Sequence, residues 1–211
     1  MSLFFDSGTF YEGIKSKKEY KEYVKQDKLA NGFSNRSLAG KIRHLLFPNP
    51  VEKFLLLLRK FEYLNNTINQ YKIIKYLRLF FVIKKFKKLS LKLGFSIPKN
   101  TFAAGLSIPH YGTIVVNGNA RIGRNCRLHA GVNIGASAGK KESPKIGDNV
   151  YLGPGAILFG NIEIADNVTI GANATVNKSC MEKNCVLAGT PAQIVKKNFP
   201  VWWVNNGVPL Q

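Results

Sequence analysis

Ile146-Gly147-Asp148-Asn149-Val150-Tyr151-Leu152-Gly153-Pro154-Gly155-Ala156-Ile157-Leu158 returns to the same kind of residue every six positions. The aliphatic positions Ile146, Leu152 and Leu158 continue through Ile164, Ile170 and Val176, and the same phase runs upstream through Val116, Ile122, Leu128 and Ile134. Four places after each comes a small or aliphatic residue: Ala120, Cys126, Val132, Ala138, Val150, Ala156, Ile162, Val168, Ala174 and Cys180. A helix repeats about every 3.6 residues and a strand every two, so neither produces a period of six. Short strands joined by tight corners at fixed intervals do, with two inward positions per unit stacking into a parallel coil. Such corners need tight or left-handed backbone, which Gly and Asn provide. Gly118-Asn119, Gly123, Gly147-Asp148-Asn149, Gly160-Asn161 and Asp166-Asn167 are therefore read as structural first.

The phase survives from Ile134 to Ile146, but Ala136-Ser137-Ala138-Gly139-Lys140-Lys141-Glu142-Ser143-Pro144 does not read as strand. One face of one coil is expected to extrude there as a polar loop, a natural place for binding contacts on a rigid scaffold.

Before about Gly94 the texture is different. Residues 1–93 carry 20 Lys/Arg against 7 Asp/Glu, and residues 94–211 carry 11 against 5. The net charge of +19 suits an anionic partner such as nucleic acid, a membrane surface, a nucleotide-bearing cofactor or an acidic sugar, and equally a solvated lysine-rich surface. Helices are expected over residues 11–30, about Val51 to Asn65, and about Thr67 to Leu93. The last sets Ile73, Ile74, Leu77, Phe80, Phe81 and Ile83 among Lys72, Lys75, Arg78, Lys84, Lys85, Lys87 and Lys88. Such a helix can lie in an anionic membrane interface, or it can pack on its neighbours or across subunits.

Several classes are not expected. Three cysteines build no disulfide framework, and Cys126 and Cys180 fall on inward positions of the repeat, as reduced core residues in a cytoplasmic protein would. No Cys/His cluster has zinc spacing, so no catalytic metal is expected. The start, Met1 to Asp6, lacks a basic region followed by a long apolar stretch, so no secretory signal is expected. No apolar run approaches the roughly 20 residues of a membrane span. Nothing matches a phosphate-binding loop, a nucleophile elbow or a nucleic-acid-binding module.

Of the three histidines, His44 stands beside Arg43 with no acidic or nucleophilic neighbour and reads as a surface or packing residue. His110, in Gly105-Leu106-Ser107-Ile108-Pro109-His110-Tyr111-Gly112-Thr113, is held between Pro109 and Gly112 at the start of the coil. A fixed imidazole suits general-base work near neutral pH, and a structural histidine at the start of the coil is the alternative. His129 follows inward Leu128 and should point outward.

The stretches Gly105 to Val116, Pro144-Lys145-Ile146-Gly147, Leu158-Phe159-Gly160-Asn161-Ile162 and Ala188-Gly189-Thr190-Pro191-Ala192 resemble, in order and spacing, the serine acetyltransferase family of acyltransferases. The resemblance covers about residues 94–197. It implies an α+β protein: an N-terminal α-helical region followed by a left-handed parallel β-helix of hexapeptide repeats with one extruded loop. It also implies a homotrimer with acetyl-CoA, the co-substrate, in a groove between subunits, and direct acetyl transfer to a hydroxyl. The family's coil of about 18 residues puts His110 and His129 on neighbouring turns, sharing one cleft.

By motif position His110 is the general base and His129 the second catalytic candidate, with Tyr111 and Asn133 on the acceptor side. Gly135, Ala136, Ser137, Gly153, Pro154 and Ala172 would meet the pantetheine arm, and Lys196 and Lys197 the CoA phosphates. The departures concern the acceptor. Serine acetyltransferases carry an Asp where this chain has Pro109, Arg-His where it has Glu142-Ser143, and an acidic partner for the catalytic His where it has Phe95. Arg127-Leu128-His129-Ala130-Gly131-Val132-Asn133-Ile134-Gly135 is similar instead to a segment of serine-acetyltransferase-like enzymes from capsule and exopolysaccharide clusters.

The expected organisation is therefore a basic helical region (1–93), a β-helix acyltransferase domain (94–195) and a tail (196–211). The expected activity is O-acetylation of a sugar in a surface polysaccharide or its precursor. Serine O-acetylation for cysteine biosynthesis is the alternative, and a non-catalytic β-helix scaffold the third. The expected location is the cytoplasm, with peripheral contact to anionic membrane through residues 72–93. The apolar tail Phe199-Pro200-Val201-Trp202-Trp203-Val204 is expected to cap the coil or pack on a neighbouring subunit, or else to touch lipid.

Overall fold

The structure, a computed structural model, describes residues 13–34, 37–67 and 73–203. Among these residues four helices come first: α1 (Lys17–Ala30), α2 (Leu38–Leu46), α3 (Pro50–Asn66) and α4 (Ile73–Leu93). Strands β1 (Phe95–Ser96), β2 (Ile114–Val116), β3 (Arg121–Ile122), β4 (Arg127–Leu128), β5 (Asn133–Gly135), β6 (Lys145–Ile146) and β7 (Tyr151–Leu152) follow. The coil continues through β8 (Ile157–Phe159), β9 (Glu163–Ile164), β10 (Thr169–Ile170), β11 (Thr175–Val176), β12 (Val186–Gly189) and β13 (Ala192–Lys196).

The strands form the three faces of a left-handed parallel β-helix. One face stacks β1-β2-β5-β8-β11, the second β4-β7-β10-β12 with β13 added antiparallel, and the third β3-β6-β9. Residues of neighbouring turns face each other 18 positions apart, as Asp148 and Asp166 do. One turn is longer: Arg124 meets Asp148 and Asn125 meets Asn149 across 24 positions. The extra unit leaves the coil between β5 and β6, where residues 138–142 are exposed. Ala138, in phase with the inward small residues, lies in this loop and is exposed, whereas its counterparts from Ala120 to Cys180 are buried. The repeat phase is a property of coil backbone, and once the chain leaves the coil nothing draws Ala138 inward.

Every aliphatic position of the repeat is buried, most of them completely. Each such side chain contributes roughly 1.5–3 kcal/mol by leaving water. One corner is built on asparagine. Asn125, Asn149, Asn167 and Asn184 take φ of 53°, 64°, 62° and 55°. Asparagine tolerates this left-handed backbone better than most residues. Each amide Nδ2 donates to the next Oδ1 along the coil, at 3.3, 2.9 and 3.0 Å. Gly105 (φ 87°) heads the column, and a Cβ there would stand 2.2 Å from the Asn125 Oδ1.

The helices share the coil's core. Phe54 of α3 packs edge-on against Phe95 at 4.9 Å and stacks with Phe86 of α4 at 5.3 Å. Arg59, fully buried on α3, donates to Asp27 of α1 (2.7 and 3.2 Å), to Glu62 (2.9 Å), and to the carbonyls of Phe102 (2.9 Å) and Ala103 (2.7 Å). Asp27 Oδ1 also accepts from the amides of Gly105 and Leu106. Burial pushes the Glu62 carboxyl up, and Arg59 opposes that shift.

The helical half departs from the sequence reading in three ways. Helix α1 begins at Lys17 behind the N-cap Ser16, later than expected, and residues 11 and 12 lie outside the described ones. Helix α2 was not foreseen; it starts behind the N-cap Ser37, and its His44 side chain lies outside the described residues. Thr67, expected to open the last helix, is the C-cap of α3, while α4 starts at Ile73 and Lys72 lies outside the described residues. The outer face of α4 exposes Ile73, Ile74, Leu77, Phe80 and Phe81. No described helix is long and apolar enough to cross a membrane.

Removing Arg59 strands two buried carboxylates and two buried carbonyls. Arg59→Ala is expected to cost about 3–5 kcal/mol, read from the urea midpoint. Lys183→Ala, which breaks an exposed pair with Asp166, should cost under about 1 kcal/mol.

Candidate active site

The segment before His110 is fixed from two sides. Ser107 forms a parallel bridge with Arg127, so residues 105–108 enter the coil. On the helical side Asn31, the C-cap of α1, donates from Nδ2 to the carbonyls of Asp27 (2.7 Å) and Leu106 (2.8 Å), and its Oδ1 accepts from the Ile108 amide (2.9 Å). The chain then turns at Pro109 and leaves His110 exposed at a corner that closes at Gly112 (φ 142°).

His129 leaves β4 on the next turn, its amide bonded to the Leu152 carbonyl at 3.1 Å. The two imidazole rings lie 6.1 Å apart at 48°, on adjacent turns as the turn length implied. The His129 ring also sits 5.0 Å from that of Tyr151. Its Nε2 is buried without a hydrogen-bond partner. Burial, then the charge of Arg127, then that of His110, push its pKa below the ordinary imidazole value. Both charges acting on it are positive. His129 is therefore held neutral, and an uncharged imidazole can accept a proton or a hydrogen bond.

In the register Leu128↔Leu152↔Ile170, the positions following His129 on the next turns are Gly153 and Gly171, so no side chain continues that column. Pro154 and Ala172 come after them, exposed, with the Asn173 amide bonded to the Pro154 carbonyl at 2.8 Å. Gly135, Ala136 and Ser137 stand at the other edge of the β2-β5-β8-β11 face, where Gly135 pairs with Phe159. One chain thus places the residues expected to hold the pantetheine at two separate edges of one face. Asn133 is exposed midway on that face between Val115 and Ile157, and Tyr111 is 69% exposed beside His110. Lys196 lies over the Phe199 ring at 5.1 Å and Lys197 pairs with Glu182 at 3.4 Å, both at the last turn of the coil. Phe95 is buried among apolar side chains. Among the described residues no group of three His, Cys, Asp or Glu could hold a metal ion.

Three further residues were not foreseen at the site. Arg127 and Tyr151, Cα partners on the outer side of β4 and β7, flank His129. Trp202 reaches back along the coil to lie over the Arg127 guanidinium at 5.0 Å, its Nε1 donating to the Asn125 carbonyl at 2.9 Å. The tail therefore packs against this chain's own coil, with Trp202 and Trp203 both buried. A cavity of about 340 Å³ opens beside Pro109, between Arg127, the end of α1 and Asn49.

A family model for bacterial transferase hexapeptide repeats matches residues 143–178. Over 105 residues the chain is 33% identical to a serine acetyltransferase of Mycobacterium tuberculosis, covering 49% of this chain and 45% of the relative. Over 95 residues it is 40% identical to that of Staphylococcus xylosus, covering 44% of each. The chain spans about half the length of the relatives it matches or less. Among solved structures, the serine acetyltransferase of Brucella abortus superposes with a TM-score of 0.62 at 21% identity, over 87% of this chain and 71% of that one. A serine acetyltransferase in complex with CoA gives a TM-score of 0.62 at 23% identity, over 85% and 71%. The chain thus resembles serine acetyltransferases in sequence over about half of its length and shares their fold.

The folded state favours neutral His129, so its contribution to stability is present above the ordinary imidazole pKa of about 6.5 and is lost as pH falls through the depressed folded value. In an NMR titration the His129 ring should change shift below that ordinary value, and Arg127→Gln should move the midpoint up. An unmoved midpoint would remove Arg127 from the account.

Proposed function

We propose that this chain is an acetyl-CoA-dependent O-acetyltransferase with His110 as the general base. The observation that carries the reading is the pair of imidazoles on adjacent turns of a hexapeptide coil, beside a cavity, in a chain that resembles serine acetyltransferases. The His110 imidazole would take the acceptor's hydroxyl proton as the oxygen attacks the thioester carbonyl. The new C–O bond forms, the C–S bond breaks, and the proton passes on to the departing thiolate. Neutral His129 would stand beside the base as an uncharged polar group on the acceptor side.

The residues expected to hold the co-substrate fit it in kind. Gly153, Pro154, Ala172 and the loop residues Gly135, Ala136 and Ser137 are small or apolar and leave room for an extended thiol arm. Their placement at two edges of one face supports a homotrimer, in which one chain's loop edge meets the next chain's histidine edge. Lys196 and Lys197 carry charge suited to CoA phosphates.

Serine is the acceptor that the comparisons favour, since the relatives named above are serine acetyltransferases. A sugar hydroxyl, in a surface polysaccharide or its precursor, is the second reading, and the electrostatics favour it. The charges acting on His129 are both positive, Pro109 and Phe95 stand where that family carries acidic residues, and among the described residues no carboxylate acts on His129 to hold a serine ammonium. The exposed apolar and basic face of α4 supports a further part of that reading, peripheral contact with an anionic membrane on its cytoplasmic side.

Three measurements test these assignments. His110→Ala should lower turnover roughly a hundredfold or more, and wild-type turnover in that variant would sink the base assignment. Thiol release from acetyl-CoA with serine, measured in parallel with sugars, nucleotide sugars and deacetylated polysaccharide, separates the two acceptors: release with serine alone removes the sugar reading, and release with a carbohydrate alone removes serine. Flotation with anionic vesicles should carry the protein upward, and recovery only at the bottom of the gradient would remove the membrane contact.

A further inference from the structure

Arg127 is a cation half-withdrawn from water, with one of its donors left unpartnered. Its backbone lies in β4 between Ser107 and Tyr151 on the neighbouring turns. The Trp202 ring covers one face of the guanidinium, and the Nε is buried with no hydrogen-bond partner. Burial draws its pKa down from the ordinary value. Ring stacking covers the face of a guanidinium but not its N–H donors, which lie in the plane, so the buried Nε stays unpaired. The ion pairs among the described residues leave Arg127 out. A buried N–H donor normally has a partner, and a charged one is best served by an anion.

The missing anion has a place to sit. Arg127 lines the cavity of about 340 Å³, together with Asn31, Phe33, Asn49, Ser107 and Pro109. That volume suits a small polar molecule. Pro109 immediately precedes His110, and Arg127 stands two residues before His129, so the cavity wall adjoins both histidines in sequence. None of the residues expected to hold the co-substrate lines this cavity.

We infer that Arg127 is the acceptor-recognition residue: it holds an anionic group of the acceptor, a carboxylate or a phosphate, in this cavity and so directs the acceptor's hydroxyl to His110. The inference rests on the acetyl-transfer reading and adds to it the class of acceptor, one bearing an anion. Serine would offer its carboxylate, and a phosphorylated sugar its phosphate.

The test uses the full chain and the emission of its two tryptophans, one of which stacks on Arg127. Inorganic phosphate is titrated at constant ionic strength into wild type, Arg127→Gln and Arg127→Lys. A saturable change is expected in wild type, about tenfold or more weaker in Arg127→Gln and partly restored in Arg127→Lys, with acetyl-CoA failing to displace the phosphate. Competition by L-serine or by a hexose 1-phosphate then identifies which source of the anion the cavity accepts. Equal binding by Arg127→Gln would place the phosphate on the general basic surface and overturn the inference. Displacement by acetyl-CoA would assign the site to the co-substrate and overturn it equally, as would competition from neither probe. A wild-type chain that binds phosphate through Arg127 but shows no acetyl-CoA binding would overturn the acetyl-transfer reading instead.

Discussion

In a stacked coil the strand N–H and C=O groups find their partners on the turns above and below, and the rest of this molecule follows from that constraint. Each turn must bring the same kind of residue back to the same place, because a buried unpaired amide costs about as much as a lost hydrogen bond. The 18-residue spacing, the aliphatic pairs facing inward and the asparagine column at one corner all serve this return. It also governs what can be inserted. The extra unit after β5 leaves the coil as a loop, so that β6 resumes beneath β3 in unbroken register. A loop built this way starts and ends on fixed backbone.

The candidate site lies where this rigid coil meets the helices. Arg59 and Asp27 tie α3 and α1 to residues 102–106, and Asn31 ties the end of α1 to Leu106 and Ile108. Pro109 and His110 emerge from a segment bonded on both sides, so the imidazole's position is set by the cores of both halves. The buried arginine is an expensive way to join them, since apolar packing holds two elements together at less desolvation cost. What it supplies is direction. Its donors fit two carboxylates and two carbonyls in one arrangement, so the helices cannot slide along the coil without stranding a charge.

The coil was legible in the sequence because its determinants are local and periodic. Leu128, Ile134, Ile146 and Leu152 announce the phase, and the phase, with a turn length, brings His110 beside His129. The helical half was less legible for the same reason. Helix α2 is nine residues long, contains Gly40 and has no acidic residue in its first turn, so neither its composition nor its length marks it. Thr67 was placed at the start of the last helix rather than at the end of the one before because Asn65, Asn66 and Thr67 are polar residues that can stop a helix as readily as start one. At the site, Arg127 and Tyr151 were passed over because outward positions of the repeat carry no pattern: a residue there is anonymous until a neighbour gives it a role.

For Arg127 that neighbour comes from far along the chain. Trp202, 77 positions after the Asn125 carbonyl it binds, returns across the asparagine corner, where the Phe199 amide bonds the Asn184 carbonyl at 2.8 Å. The tail runs against the direction in which the coil grew and reaches the turn where His129 stands. Its effect there is electrostatic as much as mechanical. The indole shields Arg127 from water, which strengthens that charge's action on His129, because a charge in a less polar surround is felt further. One buried indole thus links the neutrality of the second imidazole to the packing of the tail.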